Sequence, residues 1–146
     1  MRSRWLEGLY HFASPSLQSL WVTGHDEVLV TFTECMEVYL TDFRLINGCE
    51  LAISEGWMSE AEAAIAQNFH HLVRNYKSPY ERAGPIRRIF MQDRDSDVLA
   101  DPHWAEVVRA AQQVWLRLKV DITDSADRKQ MEDNERCWGK ITVEPG

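Results

Sequence analysis

Apolar residues recur at helical spacing in three stretches of the chain. In the first, Phe32, Met36, Tyr39, Phe43, Ile46 and Ile53 fall on one stripe with a period of about 3.6. Thr31-Phe32-Thr33-Glu34 stands before it as a capping box, and Gly56 suits a C-terminal stop because it can take φ > 0. Glu50 projects onto the same stripe. An unpartnered buried carboxylate is costly, so the pattern predicts a break or kink near Asn47-Gly48. The second stretch opens on another capping box, Ser59-x-x-Glu62, with Met58 as a hydrophobic staple against Ala63. Its predicted buried face is Ala61, Ile65, Phe69, Leu72 and Tyr76. The connection Gly56-Trp57-Met58 is short, which predicts an antiparallel helix hairpin. In the third stretch, Asp101 caps and Pro102 takes the first helical position. Trp104, Val107, Val108, Ala111, Trp115 and Leu118 then line one face.

The flanking regions are less regular. Ser3 is placed to cap a short helix through Phe12, with Trp5, Leu9 and Phe12 on one side. Ser14-Pro15 reads as an N-cap followed by Pro, and Leu17, Leu20 and Trp21 continue a helical spacing to a turn at Gly24-His25-Asp26. The alternation of Val28, Val30 and Phe32 leaves a second reading open, a β-hairpin pairing Leu20 to Thr23 with Glu27 to Phe32. Residues 77 to 100 read as a connector broken by Pro79, Gly84 and Pro85, with one helical turn over Ile86 to Met91. A short helix is expected from Ser125 to Arg136. Trp138 to Val143 is either a short strand or an extended tail that packs back.

A chain of 146 residues with 45% hydrophobic residues and six Trp is long and apolar enough for one globular domain. The expected fold is a mainly α single-domain bundle over residues 1–146, with a helix hairpin and at most a minor β element at the termini. Met1-Arg2-Ser3-Arg4-Trp5 is basic, but no apolar run of signal-peptide or membrane-span length follows it. The chain therefore reads as cytosolic.

Charge changes the picture. Between Asp26 and Glu62 nine carboxylates face one basic residue, Arg44, so this segment carries −8 while the whole chain carries −7. An acidic chain of this kind is a poor nucleic-acid binder. It is suited to steering a basic protein partner. The expected partner-binding residues are Glu34, Glu37, Glu55 and Glu60, with Trp57 at the hairpin tip as an aromatic anchor; the competing reading makes Trp57 a hydrophobic cap on its own helix. A basic run follows: Arg74, Lys77, Arg82, Arg87, Arg88 and Arg94 against Glu81 and Asp93. Pairing of these cations with the acidic helices is expected.

No catalytic, metal or cofactor motif emerges, and the chain reads as a non-enzyme. Asp93-x-Asp95-x-Asp97 starts like a calcium loop, but Val98 stands where Gly is required and Trp104 where the bidentate Glu belongs. His70 and His71 are adjacent, point about 100° apart on a helix and read as boundary residues. Cys35, Cys49 and Cys137 are odd in number and lack CxxC spacing, so buried free thiols are expected.

Taken in order, Thr31-Phe32-Thr33-Glu34, the Gly-turned second helix, and Asp101-Pro102-His103-Trp104 through Ala110-Ala111 to Trp115 resemble small bacterial immunity proteins of contact-dependent inhibition and other polymorphic toxin systems. The resemblance covers roughly residues 14 to 119. It implies a protein that binds one cognate toxin domain, many of which are basic nucleases. A homo-oligomeric structural or regulatory module, possible as a homodimer through a Trp-rich surface, is the other class the sequence allows.

Overall fold

The computed structural model describes residues 1–23, 31–84 and 95–143. Among these the chain forms nine α-helices and no strand. They are α1 (Arg2–Ala13), α2 (Pro15–Thr23), α3 (Phe32–Glu37), α4 (Glu50–Ser54), α5 (Glu60–Asn75), α6 (Pro79–Arg82), α7 (Asp95–Leu99), α8 (Pro102–Asp121) and α9 (Ser125–Trp138). A π-turn, Val38–Asp42, continues α3. No helix among the described residues is long and apolar enough to cross a membrane.

Helix α8 is the centre of the bundle: α1 and α5 both pack on it, α9 packs on α1, and α7 on α2. Its expected face is buried in full, and Ala110, Gln112 and Val114 join it. Asp101 accepts the His103 N–H at 3.1 Å, as a cap should. Helix α1 is almost entirely enclosed, with Trp5, Leu6, Leu9, Tyr10 and Phe12 all at zero exposure. Each such side chain contributes about 1.5–3 kcal/mol of burial. Phe12 sits against Tyr39, Phe69 and Trp104, with ring centroids 5.1–5.8 Å apart.

The last carbonyls of α1 have no partner within their own helix. Two buried glutamines satisfy them. Gln18 donates to the carbonyls of His11 and Phe12, and accepts from the Trp104 indole at 3.0 Å. Gln112 donates to the Ala13 carbonyl. Ser14 caps α2 as expected, accepting from Leu17 N–H. Leu20 to Thr23 are helical, which removes the first arm of the alternative β-hairpin. Ser3 lies inside α1 instead of capping it, because the helix begins two residues earlier, at Arg2. The turn at Gly24-His25-Asp26, the turn over Ile86 to Met91, and Arg87, Arg88, Asp93 and Arg94 lie outside the described residues.

The hairpin is present, and its first arm is broken. Phe32 meets Tyr76 and Tyr39 meets His70, so the two arms run antiparallel. The break comes through the π-turn and a reversal at Arg44, whose φ of 58° lies in the left-handed region. The helical register is therefore lost after Phe43. Leu45 turns inward, Ile46 turns out to solvent, and Glu50 is exposed, which resolves the conflict on the stripe. On α5 the capping box is complete, with Ser59 and Glu62 satisfying each other's N–H. Its buried face differs from the expected one. Ala66, Phe69, His70 and Val73 are buried, Ala61 is exposed, and Ile65 and Leu72 are half-buried. The face rotates because His70, polar in sequence, finds hydrogen-bond partners inside. The C-terminal segment after α9 is an extended tail that packs back, with Ile141 buried and its N–H held by Glu135.

Candidate functional site

The acidic residues singled out in the sequence fall into two groups around α1. Arg4 lies over the Phe43 ring, and a Cβ on Gly8 would meet the Phe43 and Tyr39 rings. A cavity of about 210 Å³ joins Glu34 and Cys35 to Glu7 and His11. Segment 32–43 therefore runs antiparallel to α1. Glu34 and Glu37 border the C-terminal half of α1; both are exposed and form no ion pair among the described residues. Glu55 and Glu60 lie with the hairpin turn, whose Trp57 carbonyl is held by Arg2 at the other end. Arg2 and His11 are nine residues apart, roughly 14 Å along the helix axis. The exposed Arg4 is among the residues between them. The acidic surface is thus elongated.

Trp57 does not serve as the exposed anchor. It is 8% exposed, packs against Trp5 with ring centroids 6.1 Å apart, and donates its indole N–H to Glu55 at 3.3 Å. A large aromatic at a tight turn beside another indole is driven inward by its apolar area. Trp57 is buried against Trp5 of α1 and is not presented at the surface. Trp5, Trp21, Trp104 and Trp115 are buried too, and Trp138 is half-buried, so the chain has no Trp-rich surface. Glu55 also lies 3.5 Å from Arg44, an exposed pair of little energetic weight.

At the N-termini of α5 and α9 a cleft of about 630 Å³ is lined by Arg2, Ser59, Glu62, Asp121, Asp124 and Asp127. Arg2 holds it together. Its guanidinium reaches Glu62 through two bonds of 2.6 and 2.8 Å, and Asp127 at 2.7 Å. Burial pushes the Glu62 carboxyl up, but Arg2 and the Ser59 N–H outweigh it and hold the group below the usual carboxylate range. Among the described residues the basic run makes one ion pair, and it goes to Asp101 instead of the expected acidic helices. Arg82 reaches Asp101 at 2.5 Å, and Tyr76 donates to the same carboxylate at 2.8 Å.

One constellation escaped the sequence reading. The Trp5 indole donates to the Tyr39 hydroxyl at 2.9 Å, that hydroxyl lies 2.7 Å from His70 Nε2, and His70 Nδ1 lies 3.2 Å from Cys49 Sγ. His70 is buried, not a boundary residue, and burial with the nearby Arg74 charge lowers its pKa to about 4. Burial pushes the Cys49 thiol up, against the opposing pull of Arg74. Neither Cys49 nor His70 lines any of the five described clefts. The hydrogen-bonded chain joins α1, the π-turn and α5 to the segment that carries Cys49. Cys35 is buried as expected and its thiol is pushed up; Cys49 is half-buried and Cys137 exposed, the latter because it lies on the outer side of α9. Among the described residues no group of three or more His, Cys, Asp or Glu side chains is arranged to hold a metal. Asp95 and Asp97 occupy the first turn of α7. A spacing of i and i+21 between Cys49 and His70 carries no motif. Only the hairpin register brings them together.

The chain matches no protein-family model, no curated protein and no solved structure.

Proposed function

We propose that this chain is a cytosolic binding protein that captures a basic protein partner on its acidic surface. In its most concrete form it is an immunity protein that holds a cognate toxin domain, a basic nuclease, in a stoichiometric complex without turnover. One observation carries this reading. Glu34, Glu37 and Glu60 stay exposed and outside the chain's own ion pairs among the described residues, while Arg2 and Arg82 are spent on internal carboxylates. Uncompensated surface charge of one sign raises the encounter rate with a partner of the other sign. A packed interior with a complete helical frame presents those carboxylates without further folding, which lowers the ordering cost of binding.

The test is co-expression with the C-terminal domain of a large secreted protein encoded beside this chain's gene. Restored growth and one-to-one co-elution support the reading. Growth arrest unaltered by the chain sinks it. In the complex, Glu34→Lys with Glu37→Lys should slow association and flatten its salt dependence while leaving the helical signal intact.

A further inference from the structure

The loop between the π-turn and the hairpin tip has a surface that the fold does not use. Large apolar side chains are normally covered, and single exposed ones carry no message. Here two lie five residues apart on one short segment: Ile46 is 54% exposed and Leu51 41%. Arg44 and Glu55 lie 3.5 Å apart, so the ends of that segment are close together, with Ile46 on the turn and Leu51 on α4. Asp42 and Glu50 on the same stretch are exposed and form no ion pair among the described residues.

The loop is also held rigidly from beneath. Leu45 and Ala52 are buried, Ile46 N–H donates to the Leu40 carbonyl at 3.1 Å, and Gly48 N–H donates to Leu45 at 3.2 Å. Cys49 fastens it to His70 of α5. Ile46 and Leu51 are therefore displayed by a fixed scaffold. Such preorganisation reduces the entropy lost on binding. An apolar centre with a charged rim is the anatomy of a docking patch.

The geometry points to this loop as the docking element: Ile46 and Leu51 form its apolar centre, Asp42 and Glu50 its acidic rim. Its occupant is a partner protein that presents an apolar side chain flanked by Arg or Lys. The inference rests on the reading of the chain as a captor of basic proteins, and it moves the anchor from Trp57 to Ile46 and Leu51. Charge complementarity fixes the partner's sign, and the aliphatic stems of Arg and Lys can cover the apolar pair while their heads reach the rim.

The probe is a random-peptide display library selected against the full chain. Enriched peptides should combine Arg or Lys with Leu, Phe or Trp. Their affinity should fall about tenfold or more for Ile46→Ser with Leu51→Ser, and also for Glu50→Lys, while Glu132→Lys, exposed on α9, leaves it unchanged. Both changed sites are exposed, and an unaltered melting curve confirms the fold. Basic peptides that lose affinity only in the Glu34/Glu37 variant would overturn the loop assignment and leave the acidic-surface reading standing. Enrichment of neutral or acidic peptides, or none that depends on Ile46 and Leu51, overturns it as well, and rescue in co-expression then judges the wider reading separately. Concentration-dependent self-association abolished by Ile46→Ser with Leu51→Ser would replace the basic partner with a second copy of the chain.

Discussion

The Tyr39 hydroxyl lies 2.7 Å from His70 Nε2, and this contact couples the imidazole's tautomer to the Trp5–Tyr39 hydrogen bond. The Trp5 indole can only donate, so Tyr39 accepts from it. Tyr39 then has one proton to give, and His70 Nε2 is the acceptor within reach. On this ground we assign His70 the Nδ1–H tautomer, with that N–H directed at Cys49 Sγ. The direction runs from α1 through the π-turn into α5 and back to the loop.

Tyr39→Phe removes the link without changing the ring. It leaves the Trp5 N–H and His70 Nε2 buried without a partner, which should destabilise the chain by about 1–3 kcal/mol. Nitrogen NMR of the wild-type imidazole should report the Nδ1–H form, and the variant should gain the Nε2–H form. A wild-type His70 already protonated at Nε2 would reverse the assigned direction.

The same histidine makes stability depend on pH. Its pKa is about 4 in the folded chain against 6.5 for a free histidine, with burial the main cause and Arg74 the second. Between these values the unfolded chain binds the extra proton, so stability rises with pH. It is fully present above about 6.5 and falls as the pH drops towards 4, by about 3 kcal/mol in total. Melting curves across this window should show the slope in the wild type and a flatter one in His70→Gln. His11, whose pKa burial also lowers, and Glu62, held below the usual carboxylate range, contribute to the slope that remains.

Arg2 joins three elements, α1, α5 and α9, through Glu62 and Asp127. Arg2→Ala would leave two half-buried carboxylates side by side with no cation, a loss of about 2 kcal/mol. Urea denaturation should register it. Because the pair is only partly shielded, about half of the effect should vanish at high salt. An unchanged midpoint would mean that the N-termini of α5 and α9 hold together without it.

How much of this was legible beforehand differs between elements for physical reasons. Helix α8 was readable because cap, Pro and apolar period all agree over its whole length. The broken first arm was readable only through one disagreement, Glu50 on an apolar stripe. The place of the break was not, since a π-turn and a left-handed Arg44 leave no pattern in the residues. Gln18 and Gln112 carried no signal in the sequence and His70 read as a boundary residue, because their burial depends on acceptors and donors supplied by distant segments. Of the candidate site, the outward carboxylates Glu34, Glu37 and Glu60 were placed correctly as exposed. Trp57 was left between two fates, and tertiary packing against Trp5 decided it.

Gly8 offers a case where local preference and packing oppose each other. It sits in the middle of α1, where replacing Gly by Ala gains about 1 kcal/mol of helix propensity. The new Cβ, however, would stand 2.7 Å from Phe43 Cε2 and 3.2 Å from its Cζ. Phe43 is 2% exposed and packed on Tyr39, so a shift of its ring disturbs that contact. Overpacking of this kind costs about 1–3 kcal/mol, and the net effect of Gly8→Ala is a destabilisation of about 1 kcal/mol. Combining it with Phe43→Leu should make the two effects less than additive, because the shorter side chain removes the clash. A Gly8→Ala chain that melts higher than the wild type would show that α1 and the π-turn are not in contact at this point.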